Sequence, residues 1–223
     1  MSWRPFRAGI LCISAGGDPI TTLVKQAHNS NNGGASTTAT MPADIVAGDL
    51  IFVWHLGTSF SSAVTDTAPS GWTTLQAADT LSEIYDRQCM FAKIADGSEA
   101  SASIGPFSDH DLAGYYITIV FRPTAGEIAS FSASGYKKTW TTGNPADVTI
   151  TAPGTTPSIS ICINHASSMG ITNTDGTFTA TGSNSELVGW NVWNVGDSPV
   201  NMVISGGDAG NDNYHTGISI LLS

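Results

Sequence analysis

Hydrophobic positions along this chain come in short runs rich in β-branched and aromatic residues, and clusters of Gly, Pro, Asn, Asp and Ser separate them. That punctuation is the mark of a β-sandwich or barrel. The runs predict strands over Thr37–Met41, Leu50–Leu56, Glu83–Ile94, Ser101–Ile104, Tyr115–Phe121, Val148–Thr151, Ile159–Ile163, Leu187–Val195, Val200–Ile204 and Ile218–Leu222. Ile159, Ile161 and Ile163 share one face, with Ser160 and Cys162 on the other, and Ile218, Ile220 and Leu222 alternate in the same way. Strict alternation predicts one buried face. Leu50–Leu56 is apolar at nearly every position, which predicts a central strand covered on both sides. Asp18-Pro19 is a helix-start signal for Asp18–His28. Thr21, Thr22 and Val24 are β-branched there and no apolar stripe appears, so strand or irregular chain is expected.

The same pattern occurs twice. Thr-Ala-Thr-Met-Pro ending at Pro42 matches Thr-Ile-Thr-Ala-Pro ending at Pro153, and Asp49–Trp54 matches Ser158–Ile163. Ser70-Gly71-Trp72-Thr73 matches Asp175-Gly176-Thr177-Phe178, and Ala95-Asp96-Gly97-Ser98 matches Val195-Gly196-Asp197-Ser198. Last, Thr118–Phe121 matches Ser219–Leu222. Two antiparallel units, each burying one face, close on each other as a two-sheet, jelly-roll-like sandwich. The expectation is an all-β fold with pseudo-repeated halves over residues 21–123 and 127–223. They form one domain hinged at Pro123-Thr124-Ala125-Gly126, with residues 1–20 as a separate arm. Trp72 and Phe178 are expected to enter the core from matched turns.

Composition narrows the function classes. Charged residues are only 12% of the 223, and the net charge is −10. Lys137-Lys138 is the one adjacent basic pair, whereas phosphate backbones call for clustered Lys and Arg. Nucleic acid and anionic membranes are therefore not expected partners, and no apolar segment is long enough to span a bilayer as a helix. Cys12, Cys89 and Cys162 are an odd set without a CxxC pair, which suits small buried thiols in a reducing compartment. The opening stretch does not read as a signal peptide.

Candidate chemistry is sparse. The chain has no GxSxG, Walker loop, GxGxxG, HExxH or CxxC, and Ser134-Gly135 lacks the leading Gly of a nucleophile elbow, so no enzyme is expected. His55 and His165 end matched strands and are read as strand-end hydrogen bonders, with a metal pair as the sharper alternative. Asp208, Asn211 and Asp212 offer the oxygen donors that Ca²⁺ takes, as Asp109 and Asp111 do less fully, but without a calcium-loop spacing. No cofactor is otherwise expected. Tyr136, Trp140 and Tyr214 are candidates for stacking on sugars, and Trp190 and Trp193, an odd number apart, are expected on opposite faces. Trp140 reads as a loop tryptophan and marks a contact surface, together with Trp3 and Phe6 of the arm.

Met41-Pro42, Ala47-Gly48-Asp49-Leu50, Pro69-Ser70-Gly71-Trp72 and Ala92-Lys93-Ile94-Ala95-Asp96-Gly97-Ser98-Glu99 together resemble a group of tailed-phage and prophage virion proteins. The resemblance covers roughly Thr37 to Ser223, and its motifs are turns rather than chemistry. It implies a jelly-roll-like, non-enzymatic subunit of the virion: a decoration or cement protein, a spike, or a tail-associated component. Its partners would be its own copies, with a trimer as the implied number, and other virion proteins. A carbohydrate-binding receptor-recognition protein of a tail or fibre, taking a host surface glycan, is the alternative.

Overall fold

The computed structural model describes residues 18–32, 38–58, 67–80, 86–107, 113–142, 146–165, 170–180, 186–207 and 212–223. These hold fifteen strands and no helix. The first half carries β1 (Thr22–Asn32), β2 (Ala39–Thr40), β3 (Leu50–Thr58), β4 (Thr73–Thr80), β5 (Asp86–Ile94), β6 (Ser103–Ile104) and β7 (Ala113–Ala125). The second carries β8 (Phe131–Thr142), β9 (Val148–Ile150), β10 (Ser158–His165), β11 (Gly170–Thr172), β12 (Gly176–Thr179), β13 (Glu186–Trp193), β14 (Met202–Ser205) and β15 (Asp212–Leu222). Asp18–His28 is thus extended chain leading into β1, as its β-branched residues suggested.

The repeat is visible in the topology. One five-stranded antiparallel sheet runs β1-β7-β3-β5-β4, and the other, read from β8, runs β8-β15-β10-β13-β12. Register makes the match quantitative. Leu50 pairs with Ile94 and Phe121, and Ile159 pairs with Val192 and Ile220. If Leu50 and Ile159 are equivalent, then Phe121 corresponds to Ile220, not to Leu222 as the sequence match placed it. A two-residue slip preserves which face each side chain takes, so hydrophobic alternation alone could not detect it.

The two large sheets pack face to face. Leu50, Phe52, Trp54 and Leu56 of β3, with Ile117, Ile119 and Phe121 of β7, meet Ile159, Ile161, Ile163, Ile218 and Ile220 in one core. The opposite faces are buried too. Ile51, Val53, Phe91 and Val120 lie under the β2–β6 pair with Met41 and Phe107. Cys162 lies under the β11-β14-β9 sheet with Ile150, Met202 and Ile204. The expected polar, open face of Ile159–Ile163 is therefore corrected: Ser158, Ser160, Cys162 and Asn164 are all buried. Ser160 and Ser219 lie 3.0 Å apart and Ser219 donates to the Thr151 carbonyl, whereas the buried Ser158 Oγ has no hydrogen-bond partner among the described residues. Burying such a group costs free energy unless it is paired.

The halves join at one end of the sandwich, where β1, β3, β8 and β10 begin and β5, β7, β13 and β15 end. β7 continues through Ala125, so the turn falls at Gly126, the last residue of the expected hinge, and Pro123, Thr124 and Ala125 belong to the strand. Gly126 has φ +81°, and a Cβ there would lie 2.3 Å from the Pro19 carbonyl oxygen, so only glycine fits. Pro19 bridges Glu127, the Glu127 N–H donates to the Asp18 carbonyl, and Ile20 is 2% exposed. The chain therefore joins the fold by Asp18, inside the expected arm boundary at residue 20.

Candidate functional site

The turns that carry the motifs are held by their own charged side chains. Asp49, fully buried, accepts two hydrogen bonds from Arg122, Nε to Oδ1 and Nη2 to Oδ2, both at 2.8 Å, and a third from the Val46 N–H. Arg122 also donates to the Asp44 carbonyl. Glu99, 1% exposed, accepts from the Gly97 N–H at 3.1 Å and pairs with Lys93 at 2.5 Å. Lys93 also reaches Asp96, which caps the Ser98 N–H. These hydrogen bonds, Ser98 first, hold the exposed Asp96 carboxyl well below the usual carboxylate range. The two segments interlock, because the Gly48 N–H donates to the Ala95 carbonyl and the Ala95 N–H to that of Asp49.

A second polar cluster lies between the large sheets, where β8 crosses β4 and β5. Trp54 Nε1 donates to Gln88 Oε1 at 2.9 Å, and Gln88 Nε2 donates to the Tyr136 hydroxyl at 2.6 Å and to Thr216 Oγ1 at 3.1 Å. Tyr136 in turn donates to Asp79, which pairs with Lys138. Burial, with Asp79 adding to it, pushes the Tyr136 phenol well above its ordinary range, so it stays a donor. By the pseudo-twofold relation, β1 crosses β12 and β13 at the opposite rim. There the His28 ring stacks on Phe178 at 3.8 Å, and Lys25 sits 4.8 Å over the Trp190 ring and donates to His28 Nδ1 at 2.6 Å. Desolvation first, and the Lys25 charge second, lower the His28 pKa; desolvation lowers that of Lys25.

The sequence candidates fall as follows. Tyr136 and Trp140 both lie on the edge strand β8, half-buried against the inner core. Trp140 is therefore not in a loop: it pairs with Tyr214 across β8 and β15. Tyr214, expected as an exposed ring, is 6% exposed, faces Trp54 and hydrogen-bonds to buried Glu186. The structure brings the three rings together, but on the inner side of the sheet. Trp190 faces the other sheet and Trp193 has opposite parity. Trp72 is buried in the outer core against Phe107, whereas Phe178 is half-buried at the β1 rim.

His55 is buried beside Tyr116, with Cys89 Sγ 3.5 Å from its Nδ1. Cys162 is a buried thiol too, its pKa pushed up to about 12 by burial. Asp212 begins β15 opposite Thr142. Its side chain, the side chain of His165, and Trp3, Phe6, Cys12, Asp109, Asp111, Asp208 and Asn211 lie outside the described residues. Sequence reasoning missed Asp79, Gln88, Lys25 and His28, and it read the motif carboxylates only as turn residues. The spacing of Asp49, Glu99 and Lys93 around positive-φ glycines was the available signal.

No family model, curated protein or solved structure matches this chain.

Proposed function

We propose that this chain is a non-enzymatic structural subunit, of the kind found in phage virions, that works through protein–protein contacts. One observation carries the reading. The charged residues of its recognisable motifs, Asp49, Lys93, Asp96 and Glu99, are each engaged in holding their own turn, and Arg122 of β7 holds Asp49. A chain whose motif residues serve rigidity is suited to presenting a stable surface. The virion assignment itself rests on the sequence resemblance. Low charge leaves neutral surface that costs little to desolvate on assembly.

The test is mass spectrometry and electron microscopy of purified phage particles from cells making the tagged chain. Stoichiometric incorporation with density of this shape is the expected result. A chain absent from every particle, or one that turns over a glycan, would overturn the reading. A glycan array on the full chain addresses the alternative of a receptor-recognition protein. The inward placement of Tyr136 and Tyr214 gives that alternative no support from those two rings.

A further inference from the structure

Resting on that reading, we propose that the linker end of the sandwich docks residues 1–17 of a second copy. An open groove of about 280 Å³ lies there, lined by Phe131, Leu221 and Leu222 with Ser130 and Ser223. The pseudo-twofold relation gives its counterpart in the first half. At the start of β1, Asn194 accepts from the Leu23 N–H and the Val195 N–H donates to Thr21, so a loop of the other half covers that strand. The groove borders the matching start of β8.

The surroundings select the occupant. Asp18, Asp44, Asp96, Glu127 and Asp197 are exposed at this end. Lys93 and Arg122, the cations beside them, are engaged with Glu99, Asp96 and Asp49. Residues 1–17 have the complementary character: Arg4 and Arg7, no carboxylate, and the rings of Trp3 and Phe6. They enter the fold at Asp18, beside Glu127, which itself lies three residues before Ser130. Seventeen residues reach about 60 Å when extended, ample to cross to a partner whose own linker end faces them. Two copies so placed exchange segments reciprocally, an isologous arrangement. The aromatic rings fill the groove, and the arginines meet the acids around it.

Sedimentation velocity on the full chain at tens of micromolar tests this. Association is expected, weakened more than about tenfold by Trp3→Ala with Phe6→Ala, by Arg4→Glu with Arg7→Glu, and by Asp18→Lys with Glu127→Lys. Mixing the last two variants restores it, because each then supplies what the other lost. Thr155→Trp, an exposed position at the groove, blocks association without touching charge and serves if the charge variants misfold. A wild-type monomer, variants that associate as wild type does, or a mixture without recovery each overturns the proposal. A monomer that is still incorporated into particles overturns only this inference and leaves the structural role standing.

Discussion

Asp49 and Arg122 show how a side-chain pair marks one half off from the other. By register, the equivalent positions in the second half hold Ser158 and Leu221. Removing Arg122 leaves the Asp49 carboxylate buried with the Val46 N–H as its remaining described donor. Arg122→Leu is therefore expected to cost about 3 kcal/mol in urea unfolding. Adding Asp49→Ser, which transplants the second half's solution, should recover a large part of that loss. A double variant as unstable as the single one would show that the carboxylate is not the source.

His28 sets a pH dependence of definite sign. Its folded pKa lies below the ordinary 6.5, as does that of His215, where desolvation is the leading cause. Below 6.5 the unfolded chain then binds more protons, so stability is complete above that pH and falls as pH drops through the folded values. Thermal midpoints from pH 7.5 down to 5 should decline, and His28→Gln should flatten the decline in part, leaving the contribution of His215. An unchanged slope in the variant would remove His28 from the account.

Among the elements, legibility follows position in the sheet. Every segment predicted as a strand overlaps one, and several of the observed strands run further. The strands missed, or left undecided in the case of β1, are β1, β4, β8, β11 and β12, and each ends a sheet. An edge strand needs apolar residues on fewer neighbours and carries polar ones against unwanted pairing. The hydrophobic pattern therefore fades where the sheet ends, as in the Ser-Ala-Ser-Gly-Tyr-Lys-Lys run of β8. Register irregularities interrupt β1, β4 and β8, which further blunts those edges. The site was legible only in pieces for a related reason. Its aromatic members stood out, but Asp79 and Gln88 of the first half join Tyr136 only where the two halves cross. Between elements, the small sheet β11-β14-β9 packs closely enough that a Cβ on Gly217 would lie 2.4 Å from Ile150 Cδ1. Gly217→Ala should cost about 2 kcal/mol by overpacking, with partial recovery when Ile150→Ala makes room. A neutral Gly217→Ala would mean the layer shifts freely.

At the level of the whole molecule, the largest core belongs to neither half alone, since β3 and β10 bury their alternate residues against each other. Denaturant unfolding should therefore be a single transition, coincident by tryptophan fluorescence and far-UV circular dichroism. Two separated transitions would mean that each half is stable by itself, and the shared core would then be an association between finished parts.

The linker has a consequence for chain connectivity. The Glu127 N–H donates to Asp18, and the Ala129 N–H, two residues on, donates to Ser223. The residue that enters the fold and the residue that leaves it therefore flank the same short turn. A chain cut within 126–129, and rejoined from Ser223 to Asp18 by a few flexible residues, would encode the second half before the first. It should reach the same sandwich, with a melting point within a few degrees of the parent. The order of the halves along the gene would then be a matter of history, and the fold would be indifferent to which of them a ribosome makes first.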